Sequence, residues 1–141
     1  MYQTITAQLM TVKEASDDIA SSPQNVANIC EDLGNLAQES FHILTLNAKN
    51  NIIQRHMITL GIADASLVHP REVFRPACED SACRIILVHN HPSGDPAPSN
   101  QDISITKRLV EVGNVVGIKV IDHVVIGNES YYSFVDEGIM P

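Results

Sequence analysis

The stretch Arg84-Ile-Ile-Leu-Val-His-Asn-His-Pro-Ser-Gly-Asp-Pro-Ala-Pro-Ser-Asn-Gln-Asp102 decides the fold. Residues 84–88 are nearly all apolar, which is typical of a central strand. Residues 89–99 hold three of the seven prolines, so we expect a rigid loop there. The apolar spacing of residues 100–112 predicts a helix, and Gly113 is expected to close it.

The segments on the amino side of this stretch add two strands and two further helices, and the segment on its carboxyl side adds two strands. Ser22-Pro23 is a helix start, because serine caps free N–H groups and proline suits the first turn. Pro76 predicts a kink or an early stop in the second helix, since it removes a hydrogen bond. The expected elements are an N-terminal arm or short helix within 1–21, helices over 23–38 and 71–79, strands over 40–48 and 52–60, a central strand over 119–126 and a short strand over 131–134.

This order predicts one mixed α/β domain over residues 22–141, with a curved sheet and helices packed on it. The chain has 141 residues, which suits one domain. Its formal net charge of −8 repels phosphate backbones, so we do not expect this chain alone to bind nucleic acid. Long apolar runs and a secretory signal are lacking, so we expect no membrane partner and a cytoplasmic location.

Three cysteines, Cys30, Cys78 and Cys83, match no disulfide scaffold, and we expect buried or partly buried free thiols. A metal pair formed by Cys78 and Cys83 is the alternative, but it lacks two further ligands nearby.

His89 and His91 indicate a metal site. Residues at i and i+2 of an extended chain point to the same side, so both imidazoles can reach one ion. Asp102, in the first turn of the next helix, can supply a carboxylate oxygen when the proline-rich loop folds back. Two nitrogens and one oxygen leave a fourth position for water, which is the pattern of catalytic zinc. The sequence therefore predicts a zinc site that activates water for hydrolysis.

Two other interpretations compete for the same residues. Ser99 and Asp102 have the spacing of a capping box, so helix initiation alone can explain them. The tripeptide His89-Asn90-His91 suggests an HNH nuclease, but that motif is spread through a ββα unit, and the acidic charge opposes it.

The pattern His89-x-His91, seven residues, Ser99, two residues and Asp102 resembles the signature of the JAMM (MPN-type) metalloprotease-like domain. The wider string is similar to the RadC-like branch, as are Phe41–Asn47, Val68–Phe74 and Ile121–Gly127. The resemblance covers about residues 22–138 and implies the JAB/MPN, cytidine-deaminase-like architecture.

The resemblance also implies roles for individual residues. His89, His91 and Asp102 would hold zinc, and Ser99 would donate a hydrogen bond to the oxyanion formed when water attacks a carbonyl. An upstream glutamate would act as general base, for which Glu39 is the candidate; Glu72 and Glu79 are weaker candidates on the second helix. His123 is either a neutral core histidine or a residue behind the metal ligands, while His42, His56 and His69 have no assigned role.

Three functions remain open at this point. The complete ligand set favours a zinc hydrolase acting on a peptide, isopeptide or other amide bond of a peptide or protein substrate. A DNA-associated accessory protein is the second hypothesis, although longer RadC-like proteins carry a helix-hairpin-helix region that we do not find in this sequence. A protein-interaction module that keeps the metal for stability is the third, and the sequence leaves a homodimer open.

Overall fold

The computed structural model describes residues 15–61 and 67–141, in which the helices and strands follow the expected order. The predicted N-terminal arm or short helix lies mostly outside these residues; within them, Ile19 pairs with Asn51 in an isolated bridge. The elements are α1 (Pro23–Ile29), a 3-10 helix (Glu31–Asn35), β1 (Ser40–Leu46), β2 (Ile52–Leu60), α2 (Pro70–Glu79), β3 (Arg84–Asn90), α3 (Asn100–Val116), β4 (Lys119–Ile126) and β5 (Tyr131–Ser133).

The five strands form one mixed sheet in the order β2-β1-β3-β4-β5. β3 and β4 are parallel, and the other neighbouring strands are antiparallel. Two parallel strands need a crossover connection, and α3 provides it. This arrangement confirms the predicted mixed α/β fold, with β3 at the centre of the sheet.

Apolar side chains cover both faces of the sheet, because alternate residues of β1 and β3 point to opposite sides. One face packs against α2 and α3, where Phe74 and Leu109 are buried together with Ile43 and Leu87. The other face packs against α1, where Val26 is buried with Leu44, Ile86 and Val88. The double coverage explains why the sequences of β1 and β3 are apolar on both faces.

The first predicted helix is wrong in length, because α1 ends at Ile29 rather than continuing to residue 38. A 3-10 helix follows, in which the Leu33 N–H donates to the Cys30 carbonyl three residues back. Cys30 and Leu33 are both buried on the same face of the sheet. The apolar spacing therefore continues across the change from α-helix to 3-10 helix. For this reason the sequence pattern could not reveal that change.

The third predicted helix is also wrong in length, because α3 continues through Gly113 to Val116 and is capped by Gly117. Gly117 has a φ of 81°, the left-handed conformation that glycine adopts most easily. Gly113 is needed for another reason: a Cβ there would lie 2.5 Å from the carbonyl oxygen of Ile118. Close approach of β4, rather than helix termination, accounts for this glycine.

Smaller differences from the prediction concern the effect of Pro76 on α2, the start of the proline-rich loop and the burial of the cysteines. α2 ends at Glu79 as predicted, with Val73, Phe74 and Ala77 buried, so of the kink or early stop expected at Pro76 the early stop does not occur. β3 extends through Asn90, so the predicted rigid loop begins at His91 rather than His89. Cys30 is buried as expected, but the expected burial is wrong for Cys78, in the last turn of α2, and for Cys83, just before β3, since both are exposed. In the described ranges, every helix is too short or too polar to cross a membrane.

Candidate metal centre

The carboxyl end of β3 brings two histidines together. Because β3 is extended, His89 and His91 project to the same side, and their Nε2 atoms lie 2.9 Å apart. His91 continues the alignment with β4, since its N–H donates to the Ile126 carbonyl at 3.0 Å. The predicted geometry of the His-x-His pair is therefore confirmed.

The capping box of α3 places Asp102 against both histidines. The Asp102 N–H donates to Ser99 Oγ at 3.1 Å, and Asp102 Oδ2 accepts from the Ser99 N–H at 2.8 Å. The carboxylate also lies 3.2 Å from His89 Nε2 and 3.1 Å from His91 Nε2. Asp102 therefore caps its helix and also faces the two histidines. The spacing of Ser99 and Asp102 is thus explained both by helix initiation and by a position of Asp102 beside the candidate ligands.

Glu39, the residue before β1, completes a cluster of four potential ligands. Its Oε1 lies 3.6 Å from His89 Nε2 and 3.8 Å from His91 Nε2. One ligand atom from each of Glu39, His89, His91 and Asp102 lies within 4.8 Å of the others. The alternative glutamates, Glu72 and Glu79, are exposed on α2 and are not in this cluster.

The chemistry of the donor set fits a cation. His91 Nδ1 lies 3.0 Å from the Asp95 carbonyl oxygen, which can only accept, so Nδ1 carries the proton and Nε2 of the neutral ring presents a lone pair. Two carboxylates face the same point. Ligand atoms around one tetrahedral zinc lie about 3.3 Å apart, since each is about 2.0–2.1 Å from the ion. The observed separations among His89, His91 and Asp102 are close to that value, so the cluster can hold a metal ion.

The titration behaviour of the metal-free cluster reflects its crowding. Burial raises the pKa of Glu39, although the neighbouring histidines oppose this effect. The hydrogen bond with Asp102 raises the pKa of His91. Burial disfavours the charged form of Asp102, but its close contacts with the His89 and His91 rings outweigh burial and hold the pKa of Asp102 well below its usual range.

Ser99 and His123 lie next to the cluster, as the sequence suggested. Ser99 is exposed, and its Oγ accepts the Asp102 N–H, which leaves its hydroxyl proton available to donate. His123 is fully buried, and its Nε2 lies 2.7 Å from His89 Nδ1. Burial lowers the pKa of His123 well below its usual value, so the ring is neutral. It is both a core histidine and a direct neighbour of a candidate ligand.

Asn90 is a site residue that sequence reasoning missed. Its side chain points away from the two histidines, donates from Nδ2 to the Gln38 carbonyl at 2.9 Å and accepts the Ser40 N–H at 2.8 Å. These two contacts lie on either side of Glu39. Asn90 therefore fixes the backbone of the segment that carries Glu39. Its position between two candidate ligands was the available signal, because alternation directs it to the opposite face of β3.

The fold and this cluster define a mixed α/β domain with a candidate His-His-Asp-Glu metal centre at the carboxyl end of its central strand. A family profile described as the RadC-like JAB domain matches residues 20–139, and the chain belongs to that family. The resemblance inferred from the motif is thereby confirmed.

Curated relatives carry the name UPF0758 protein. One from Caldanaerobacter subterraneus subsp. tengcongensis is 48% identical over 132 residues, which are 93% of this chain and 57% of that protein. One from Listeria monocytogenes is 46% identical over 132 residues, covering 93% of this chain and 59% of its own length. One from Alkaliphilus metalliredigens is 51% identical over 120 residues, or 84% of this chain and 52% of that protein. The chain thus spans somewhat more than half the length of these relatives.

Proposed function

We propose that this chain is a zinc-dependent hydrolase that cleaves a peptide, isopeptide or other amide bond of a peptide or protein substrate. The observation that carries the proposal is the convergence of two imidazole nitrogens and two carboxylates within 4.8 Å, at the carboxyl end of β3. His89, His91 and Asp102 would hold zinc, which would supply a Lewis acid and lower the pKa of a water molecule at the site from about 15.7 to about 7.

Glu39 is the proposed general base. Its Oε1 lies 3.6 Å from His89 Nε2 and 3.8 Å from His91 Nε2, which puts the carboxylate within reach of a water molecule at the cluster. Hydrolysis adds one water across the C–N bond. Glu39 takes a proton from the attacking water as the C–O bond forms, and returns it to the departing nitrogen as the C–N bond breaks.

Ser99 is the proposed donor to the oxyanion. Its hydroxyl accepts the Asp102 N–H, so the oxygen is held in place while its own proton remains available. A preorganised donor of this kind typically contributes about 10²–10³-fold to the rate. The same serine thus links helix initiation to stabilisation of developing charge.

Metal content tests the first half of the proposal. The purified chain is freed of metal with a chelator, reloaded with Zn²⁺ and titrated against a chromophoric chelator. We expect one zinc per chain in the wild type and loss of that zinc in Asp102→Asn and His91→Ala. Equal zinc binding by the wild type and both variants would contradict the assignment of ligands.

Hydrolysis by the zinc-loaded protein tests the second half, using peptide libraries and isopeptide-linked substrates read out by mass spectrometry. Glu39→Gln should retain zinc while its turnover falls about 10²–10⁴-fold, the usual range for a general base. Glu72→Gln, an exposed glutamate of α2, is the matched control and should keep full activity. If Glu39→Gln is as active as the wild type, either another base or a non-hydrolytic, metal-stabilised interaction module is correct.

A further inference from the structure

A buried chain of hydrogen bonds runs behind His89. Thr106 Oγ1 donates to the main-chain oxygen of Asp102 at 2.6 Å and lies 2.6 Å from His123 Nδ1. His123 Nε2 in turn lies 2.7 Å from His89 Nδ1. Thr106 and His123 are 0% exposed and His89 is 1% exposed, so bulk water does not compete for these contacts. We call this chain from Asp102 to His89 the buried relay.

The direction of the buried relay follows from its first acceptor. A carbonyl oxygen has no proton, so Thr106 uses its single hydroxyl proton on Asp102. His123 must then donate from Nδ1 to Thr106, which makes Nε2 of the neutral ring an acceptor. His89 therefore donates from Nδ1, and its Nε2 presents a lone pair to the ligand cluster. That atom lies 3.2 Å from Asp102 Oδ1.

We propose that Thr106 and His123 are positioning residues that fix the tautomer of His89, so that its Nε2 is ready to bind a divalent metal ion. The inference rests on the metal site of the proposed function. In the reverse direction the proton would lie on His89 Nε2, between the ring and the cluster, and would have to leave before a metal could bind. Reversal would also remove the Thr106 hydrogen bond to Asp102.

Asp102 anchors both ends of this arrangement. Its carboxylate faces the histidines, while its main-chain oxygen accepts the Thr106 hydroxyl one helical turn later. The first two turns of α3 therefore orient one ligand directly and a second ligand through the buried relay. Partners of this kind on ligating histidines typically change metal affinity by about 10–100-fold when they are removed.

Zinc affinity separates a positioning role from a packing role. Thr106→Val keeps the side-chain shape but removes the hydroxyl, and we expect about 10–100-fold weaker zinc binding by chelator competition. Thr106→Ser restores the hydroxyl and should bind zinc within a few-fold of the wild type. Thr45→Val is the matched control, because Thr45 is equally buried but its hydroxyl bonds to Asp80. It should lose stability without losing zinc affinity.

The tautomer can be measured without any variant. In the metal-free wild type, at a pH where the imidazoles are neutral, nitrogen-15 NMR should show His89 and His123 both protonated at Nδ1. Finding His89 protonated at Nε2, or finding zinc affinity equal in Thr106→Val and Thr106→Ser, would overturn the inference. Failure of the zinc-loaded wild type to hydrolyse any substrate would count against the proposed function alone, because neither readout uses activity.

Discussion

Asn90 shows how one tripeptide serves two parts of the same site. Its neighbours His89 and His91 face the metal cluster, and strand alternation sends Asn90 to the other side of the sheet. There it holds the backbone groups before and after Glu39. The position of Glu39 relative to His89 and His91 thus depends on a residue that is not a member of the cluster.

Replacing Asn90 with alanine should lower stability and the rate of hydrolysis but leave metal binding nearly unchanged. The change leaves the buried Ser40 N–H without this acceptor, and such a group costs about 1–3 kcal/mol. The Gln38 carbonyl, which belongs to an exposed residue, loses its hydrogen bond from Asn90 as well. We expect a lower free energy of unfolding in urea, near-normal zinc affinity and slower hydrolysis. Asn114→Ala, an exposed asparagine on α3, is the control. Unchanged stability and turnover in Asn90→Ala would refute the role of Asn90.

His42 should make the fold sensitive to mild acid. The ring is buried, and burial lowers its pKa from 6.5 to about 4. Between those values the unfolded chain binds a proton that the folded chain does not, so stability falls as the pH drops through this window. Denaturant titrations of wild type and His42→Gln at several pH values test this. The difference in stability between the two proteins should change from pH 7 to pH 4 and then level off.

Local spacing in the sequence could predict some of the site residues but not others. His89 and His91 could be predicted because their relation is local to one strand. Glu39 came from resemblance, and the structure places it beside them. Strand alternation could place Asn90 on the face opposite the histidines, but its partners Gln38 and Ser40 could not be predicted, since they lie on a distant segment. The contact between Thr106 and His123 could not be predicted for the same reason.

Among the elements, α3 contributes most to the site. Its capping box fixes Asp102, and its second turn carries Thr106. The helix also continues past Gly113, a glycine that is needed for the close approach of Ile118 and not for helix termination. The helix start was predictable from Ser99 and the prolines before it. The helix end was not, because a glycine required by packing and a glycine required for termination look alike in a sequence.

Two substitutions at Ser99 should separate its capping role from its proposed catalytic role. Ser99→Ala removes both, and loss of an N-cap typically costs about 1 kcal/mol. Ser99→Asp restores a good cap but has no proton to donate when ionised. We expect unfolding experiments to show near-normal stability for Ser99→Asp and reduced stability for Ser99→Ala, with slow hydrolysis in both. An active Ser99→Asp would show that the hydroxyl does not stabilise the oxyanion.

The sheet separates two apolar layers, and its central strand β3 carries polar side chains only at its two ends, Arg84 at the start and His89 and Asn90 at the finish. The continuous apolar runs in β1 and β3 predicted burial on both faces, and the structure confirms it. The strand order and the antiparallel pairing of β1 with β3 could not be derived from patterning.

Replacing Glu39 with glutamine should stabilise the metal-free protein. Burial works against the charged form of Glu39, so Glu39→Gln removes a group that the metal-free protein accommodates at a cost. We expect a higher melting temperature than wild type in chelator, alongside the loss of hydrolysis. Glu72→Gln should leave the melting temperature unchanged. A lower melting temperature in Glu39→Gln would mean that its carboxylate stabilises the metal-free fold.

The four clustered residues come from three separate segments: the residue before β1, the end of β3 and the start of α3. An ion bound there would join these segments as a removable cross-link. Ligand present at about 100 times its dissociation constant adds about 2.7 kcal/mol to the free energy of unfolding. Resistance to heat and to proteases would then follow the supply of free metal, so the durability of the protein would vary with the metal content of its surroundings.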